Sequence, residues 1–443
     1  MLGSTLAPLG ASGQEFESST APAITESNAE PTGDLTLREA VAFALLNSPR
    51  LAGFELDVRI AEATTLQSGL LPNPELEVEV EEFAGTDEMS DFDAAEISVL
   101  LSQRLELGGK RGYREQIARH GEEISQQSYE VAKLGLVIDL SKAFTSVLAS
   151  QERRKFLQDS VQLASQAMKA AETRFDSGDA PQTDALRARA VLASAQSALT
   201  QEERKLESAR LRLAALYGSS EPEFSQVVGK LHSTAKFPEL SEIRSQIDTH
   251  PQMALLTKLV ERQETSVEQE QAERIPDVTV GLGAKYFNAD DASAAVFQFS
   301  MPLPLFDRNQ GNILKARHEL RKARENEREA RINLLAYVTS VYRQLESFQS
   351  EIKMVDDDWL ESAQSAQEKT WRAYNEGKAN YLDLIEAQRG LTEARIRHVD
   401  VLEAYQNTLV ELEILIQRRA NDTLSVSSTE SENTLEAKKD HHE

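Results

Sequence analysis

Two carboxylates, Asp383 and Glu386, follow Gly377 by six and nine residues, in a stretch that predicts a helix after a tight turn. Residues at positions i and i+3 lie on the same face of a helix. Grouped carboxylates attract cations and repel anions, so this pair is a candidate cation-attracting site. A solvated face of a Glu-rich helix is the alternative interpretation of the same spacing.

The first half of the chain carries a related pattern after Gly178. Asp184 follows that glycine by six residues, just as Asp383 follows Gly377. Arg187 takes the place of the second acid, so the first half offers only one of the two carboxylates. Asp184 is therefore a candidate for the same role with a weaker basis.

A further acidic group alternates with apolar residues along the chain: Glu75, Leu76, Glu77, Val78, Glu79, Val80 and Glu81. This period of two predicts a strand with one acidic face and one apolar face. Like charges so close together are costly in a dry core, so the acidic face must meet water. That water can fill a channel lumen or lie outside a soluble sheet.

No catalytic arrangement is recognisable. The seven histidines are scattered, without a His-Glu-x-x-His motif, a Ser-His-Asp pattern or a phosphate-binding loop. Cysteine is absent, which excludes disulfides and cysteine-bound metal. The formal net charge of −25 argues against a nucleic-acid partner. We therefore predict no catalytic residues, no cofactor and no dedicated metal site, and we interpret His441-His442 as part of a solvated tail.

The chain carries one pattern of helices and strands twice. Pro49 corresponds to Pro251, and Pro74 corresponds to Pro276. A repeat of about 200 residues is too long for a solenoid unit and indicates two fused copies. The predicted organisation is a disordered leader, a first repeat, a linker, a second repeat and a disordered tail, at residues 1–34, 35–217, 218–238, 239–418 and 419–443.

Each repeat contains two predicted strands and one long helical hairpin. The strands cover about 75–83, 94–105, 277–287 and 294–303, and the hairpin tips lie near Gly178 and Gly377. The first helix of each hairpin has an unbroken helical pattern of about 65 residues, or roughly 95 Å. At the first short helix, Thr36 followed by Glu39 predicts a capping box.

Four such strands have the length that crosses a bilayer when tilted. On their own they leave two exposed sheet edges, which further copies of the chain would close. A trimer would supply twelve strands. No run of about 18 apolar residues predicts a transmembrane helix. A structural coiled-coil envelope protein would explain the long helices, but it would not explain strand pairs at matching positions of the two repeats.

Three segments carry a resemblance to a known family: Leu71-Pro72-Asn73-Pro74-Glu75-Leu76, Leu105-Glu106-Leu107-Gly108-Gly109-Lys110-Arg111 and Met301-Pro302-Leu303-Pro304-Leu305-Phe306-Asp307-Arg308-Asn309. Over about residues 35–420 the chain resembles the TolC family of outer-membrane efflux factors, especially its CzcC-like branch, which serves heavy-metal pumps of the resistance-nodulation-division class. The resemblance implies helices combined with a membrane β-barrel. Each trimer would form a twelve-strand barrel in the outer membrane on an α-helical tunnel in the periplasm.

The resemblance also implies partners and residue roles. A periplasmic adaptor (membrane fusion) protein and an inner-membrane pump would join the homotrimer, and the adaptor would meet the hairpin tips at Phe175, Gly178, Tyr374 and Gly377. Asp383 and Glu386 match acids that ring the periplasmic constriction, with Asp184 as the first-half candidate. The barrel lumen would be lined by Glu75, Glu77, Glu79 and Glu81. Multidrug efflux and type I protein secretion remain alternatives, because the pump selects the substrate.

Overall fold

The computed structural model describes residues 30–83, 85–86, 92–231 and 237–416. Its first half contains, in chain order, β1 (Gly33–Leu35), α1 (Leu37–Asn47), α2 (Pro49–Ser68), β2 (Glu75–Glu81), β3 (Glu96–Leu105), α3 (Lys110–Asp176), α4 (Gln182–Leu216) and β4 (Phe224–Val227). Its second half contains α5 (Leu240–Ser245), a 3₁₀ turn (Ile247–Thr249), α6 (Pro251–Ala272), β5 (Val278–Phe287), β6 (Ala292–Ser300), α7 (Gln310–Met354), a π-helical segment (Val355–Leu360), α8 (Glu361–Asn375) and α9 (Tyr381–Leu415). Both halves therefore place a strand pair before a long helical hairpin.

The strand pairs of the two halves join in one antiparallel sheet with the order β2-β3-β5-β6. The central pairing, between β3 and β5, runs from Glu96 opposite Phe287 to Leu105 opposite Val278. Directly opposed residues point to the same side of a sheet. One side therefore carries an apolar set whose members are all exposed in the single chain: Leu76, Val78, Val80, Ile97, Val99, Leu101, Leu282 and Phe297.

Strand β5 approaches β3 closely at two glycines on the opposite, acidic side of the sheet. A Cβ added at Gly283 would lie 2.1 Å from the carbonyl oxygen of Val99 and 3.0 Å from the side chain of Leu100. A Cβ at Gly281 would lie 3.2 Å from the same Leu100 side chain. Because neither glycine has a Cβ atom, there is room beside them for the Leu100 side chain, which is buried there.

The first helices of the two hairpins differ in one respect. Helix α3 runs unbroken for 67 residues, whereas the expected continuous helix of the second half contains the π-helical segment Val355–Leu360. Buried positions before this segment recur every seven residues at Val338, Leu345 and Ile352, but those after it are Gln367 and Tyr374. The buried series is displaced by one residue. One extra residue in a wider turn accounts for that displacement.

Clusters of buried apolar side chains hold the described helices together. One cluster packs α1 and the middle of α3 against the end of α4 and the parallel β1–β4 pair, around Phe144 and Tyr217. Another joins α5, α6, α7 and α9 around Leu345. The cluster at the hairpin tips combines residues of both repeats, including Ala171 and Tyr381. The two repeats therefore share a core at the tips as well as a sheet.

The start of α1 follows the sequence prediction. The backbone N–H and hydroxyl of Thr36 donate to Glu39 Oε2 at 2.9 Å and 2.8 Å, and the backbone N–H of Glu39 donates to Thr36 Oγ1 at 3.3 Å. The predicted capping box is confirmed. None of the helices in the described ranges combines the length and apolar content that crossing a bilayer would require.

Candidate functional site

Both hairpins end in the same helix-terminating turn. Gly178 and Gly377 adopt left-handed backbone conformations, with φ of +82° and +75°. The backbone N–H of Gly178 donates to the carbonyl oxygen of Phe175 at 2.9 Å, and that of Asp179 donates to the carbonyl oxygen of Arg174 at 2.8 Å. The corresponding bonds recur around Gly377. This is the Schellman pattern, which favours glycine because an L side chain is strained at positive φ.

The two tips pack against each other within one chain. The guanidinium of Arg174 donates to the carbonyl oxygen of Tyr374 at 3.1 Å and lies 5.0 Å from the centroid of the Tyr374 ring. The Tyr374 ring meets the Tyr381 ring edge-on, with centroids 5.9 Å apart. Tyr374 is buried at 2% exposure, whereas the other three predicted tip residues are exposed. Tyr374 thus stabilises the tip from inside, and the accessible surface belongs to Phe175 and the two turns.

The tip core contains two buried phenol groups. In the described part of the chain the hydroxyl of Tyr381 has no hydrogen-bond partner. Burial raises the pKa of both phenols, that of Tyr381 to about 12; the nearby charge of Arg174 opposes the rise at Tyr374, and that of Asp184 adds to it at both. The Asp184 side chain is itself 17% exposed, with its carboxylate 3.7 Å from the Arg187 guanidinium. The first-half acid is therefore partly covered and partly neutralised within the protomer.

Asp383 and Glu386 are both exposed at the start of α9. Asp383 also forms a capping box: its Oδ2 accepts from the backbone N–H of Asn380 at 3.2 Å, and its own N–H donates to Asn380 Oδ1 at 2.9 Å. The Glu386 carboxylate has no hydrogen bond or ion pair to any described residue. The structure thus gives Asp383 a local structural role that its spacing to Gly377 does not reveal. The ring formed by both residues stays a prediction.

The four glutamates of β2 lie on one side of the sheet, opposite the apolar set. Glu81 differs from the other three because Lys285 of β5 donates to its Oε2 at 3.0 Å and also forms an ion pair with Glu96 of β3. Within the described residues, Glu75, Glu77 and Glu79 form no ion pair. Negative charge is therefore compensated at one end of the strand and left uncompensated along the rest. That the four glutamates line a channel lumen stays a prediction.

Ion pairs hold the junction between β3 and α3. Arg114 donates to both carboxylate oxygens of Glu106, at 2.7 Å and 3.1 Å, and to the carbonyl oxygen of Ser68 at 2.9 Å. Their mutual hydrogen bonds lower the pKa of Glu106 and raise that of Arg114. The buried Lys110 places its Nζ 2.8 Å from Asp277, which belongs to the second repeat. The segment after β3 therefore joins the two repeats through the ion pair between Lys110 and Asp277.

A cluster of side chains that are common metal ligands lies between α3 and α6. His120 Nδ1 is 3.4 Å from Glu123 Oε2 and 3.9 Å from Glu261 Oε2. The Lys258 ammonium lies 3.1 Å and 2.9 Å from the same two oxygens. The sequence gives only a weak signal for this cluster, a histidine and a glutamate three residues apart, because the third ligand comes from the other repeat.

A tandem repeat of long helical hairpins that joins two strand pairs in one sheet is the protomer architecture of an outer-membrane export channel. The chain belongs to the outer membrane efflux protein family, whose model matches it twice, at residues 41–219 and 243–416. The resemblance to the TolC family is thereby confirmed. Membership of this family also makes the protein a transport component and not an enzyme.

Two relatives named for metal resistance come from Cupriavidus metallidurans. The cobalt-zinc-cadmium resistance protein CzcC is 31% identical over 378 residues, which cover 85% of this chain and 89% of that protein. The nickel and cobalt resistance protein CnrC is 24% identical over 308 residues, covering 70% and 71%. This chain is thus similar along most of its length to proteins of heavy-metal resistance.

Solved structures share the fold at lower identity. A crystal structure of CusC has a TM-score of 0.75 and 19% identity, covering 88% of this chain and 95% of that one. The Campylobacter jejuni CmeC outer membrane channel has a TM-score of 0.74 and 16% identity, covering 90% and 89%. These likenesses establish the protomer fold of an outer-membrane channel.

Proposed function

We propose that this protein is the outer-membrane channel of a tripartite efflux system, through which an inner-membrane pump of the resistance-nodulation-division class exports heavy-metal cations. The observation that carries the proposal is the 31% identity to the cobalt-zinc-cadmium resistance protein, over 85% of this chain. The channel is passive: it offers a path, while the pump selects and drives the cargo. The uncompensated acids on the sheet and at the hairpin tip suit cations as that cargo.

The proposed assembly is a homotrimer. In the part of the chain that the structure describes, β2 and β6 each lack a strand on their outer side, which leaves two edges of unpaired backbone groups. Joining β6 of one copy to β2 of the next gives a closed sheet of twelve strands. The apolar set then faces the lipid of the outer membrane, and the glutamates of β2 face the lumen. So large an exposed apolar surface is unfavourable in water and favourable in lipid.

The helical hairpins extend into the periplasm in this proposal. Three copies place Asp383 and Glu386 as six carboxylates around one opening, with Asp184 contributing less because Arg187 balances it. Asp383 takes part through its Oδ1, since its Oδ2 serves the helix cap. The exposed turns at Gly178 and Gly377, with Phe175 beside the first, form the surface that meets the adaptor protein.

The test separates the cargo from the assembly. Light scattering of the detergent-purified protein should give a mass near three times 49.2 kDa; a monomer overturns the assembly. Deleting the gene in a strain that carries the pump should lower tolerance to Co²⁺, Zn²⁺ and Cd²⁺, and a plasmid copy should restore it. Loss of drug tolerance alone supports multidrug efflux instead, and loss of a secreted protein alone supports type I secretion.

A further inference from the structure

The α3–α6 contact contains a group of ligand atoms that already converge on one cation. Glu123 Oε2 and Glu261 Oε2 both lie within 4 Å of His120 Nδ1, and the same two oxygens form ion pairs with the Lys258 ammonium. The charged nitrogen of lysine is a compact cation. The position between the two oxygens is therefore one where the protein itself has placed positive charge.

The distances match those around a small transition-metal ion. Zinc bonds to imidazole nitrogen and carboxylate oxygen are about 2.0–2.1 Å long, so neighbouring ligand atoms of a tetrahedral site lie about 3.3 Å apart. His120 Nδ1 lies 3.4 Å from one oxygen and 3.9 Å from the other. One distance already fits and the other needs a shift of about 0.5 Å, which rotation of a partly exposed glutamate side chain supplies.

We propose that His120, Glu123 and Glu261 bind a divalent transition-metal ion of the zinc type at the contact between α3 and α6, with the ion replacing the Lys258 ammonium. The lysine leaves toward solvent, to which 34% of its side chain is already exposed. Two carboxylates with one ammonium carry a net charge of −1, whereas two carboxylates with a divalent ion are neutral. A neutral imidazole completes the site with a donor that suits such ions better than alkali or alkaline-earth cations.

The site differs from the acids of the sheet and of the hairpin tip. Its three ligands come from two helices in different repeats, and the His120 side chain is only 16% exposed, so a bound ion would link the repeats and not merely concentrate near a charged surface. The geometry of α3 and α6 carries this inference. It requires neither the proposed cargo nor the gate.

The experiment is a titration of full-length, detergent-purified protein with Co²⁺, followed by the visible absorption of the bound ion, and a competition of Zn²⁺ against a chromophoric chelator. His441 and His442 are replaced by alanine in every sample to remove binding by the tail. We expect one saturable site per chain. His120→Ala should weaken binding by more than about tenfold, because even outer-shell changes cost about 10–100-fold.

Lys258→Met provides the discriminating measurement. Removing the competing ammonium should tighten Co²⁺ and Zn²⁺ binding if the ion takes its place, whereas a purely structural ion pair would give no gain in affinity. Glu122→Gln is the matched control on the same helix, since Glu122 contacts Thr65 and Gln126 and lies outside the cluster. Size-exclusion profiles and circular dichroism confirm that each variant is folded.

The outcomes are decisive in both directions. Absence of a saturable Co²⁺ site in the parent, or equal binding by the parent and His120→Ala, overturns the proposal. Unchanged affinity in folded Lys258→Met also overturns it, because the ion then does not occupy the ammonium position. Loss of the site in His120→Ala together with tighter binding in Lys258→Met supports it, whatever the result of the metal-tolerance assay.

Discussion

Val78→Arg tests the assignment of the two sides of the sheet. Val78 is the fourth of the seven residues of β2 and pairs with Val99 on the apolar side. Its side chain is 60% exposed in the single chain, so an arginine meets little steric resistance within the protomer. The substitution therefore measures what surrounds the assembled sheet, not how the chain packs on itself.

The expected cost follows from the depth of the residue. Arginine on the lipid face of a barrel costs about 2–4 kcal/mol at the middle of the bilayer. Three copies in a trimer give about 6–12 kcal/mol per assembly when the sites act independently. That total is comparable with the whole stability of an ordinary domain, about 5–15 kcal/mol. Val78→Arg should therefore strongly reduce the amount of assembled channel.

The assay compares this variant with its neighbour Glu79→Gln. Glu79 lies on the acidic side, where the glutamine loses a charge but keeps its contact with water, so assembly should stay at the parental level. Val78→Leu controls for side-chain size. The measured quantities are the fraction of unboiled trimer in outer-membrane extracts and the midpoint of urea unfolding in vesicles. Normal assembly of Val78→Arg, or equal loss in Glu79→Gln, would refute the assignment of the two sides.

Further predictions concern the gate, the repeat junction and the tip core. In a planar bilayer, the double variant Asp383→Asn with Glu386→Gln should have weaker cation selectivity than the parent and be blocked less by trivalent ions. The difference between variant and parent should shrink in high salt, because the screening length is already about 8 Å at 0.15 M. Conductance and block equal to those of the parent would show that these residues are ordinary surface acids. The pKa of Glu106 is lowered by its hydrogen bonds from Arg114, so this pair stabilises the fold above the ordinary glutamate pKa of about 4.3 and loses its effect as the pH falls through the lowered value. The urea midpoint should therefore fall less steeply between pH 6 and pH 3 in Arg114→Gln than in the parent. Parallel profiles for the two proteins would contradict this. Tyr381→Phe should leave the free energy of unfolding unchanged or raise it by up to about 1–3 kcal/mol, because its buried hydroxyl has no partner among the described residues; a lower melting temperature would contradict this.

Strands and turns are the features that one sequence can indicate, because their signals are local. Period-two alternation places β2 at Glu75–Glu81 within two residues of its predicted end. A glycine after a long helix predicts each hairpin tip, since positive φ is costly for other residues. Thr36 and Glu39 predict the capping box for a similar reason: both partners lie within one helical turn. Each of these features depends on residues that are close in the chain.

Other features depend on contacts between distant residues, which one sequence does not display. Lys285 compensates Glu81 only because β5 comes to lie beside β3, and Glu261 reaches His120 only because α6 packs against α3. The π-helical segment Val355–Leu360 has no proline or glycine to indicate it. The wider turn keeps the buried residues before and after the segment facing the same core. This requirement can be recognised only when the packing of the helices is known.

The distribution of charge connects the packing of the protomer with its proposed role. At two contacts between the repeats, acids have basic partners: Lys110 pairs with Asp277, and Arg153 lies 2.7 Å from Asp400. Such pairing is required there because an unpaired charge in a packed interface is costly. Acids exceed bases by 25 in the chain, so the surplus must lie where water or mobile cations can reach it. In the proposed channel, uncompensated acids such as Glu77 and Glu386 lie along the path for cations, and neutralising them should change ion passage more than it changes folding.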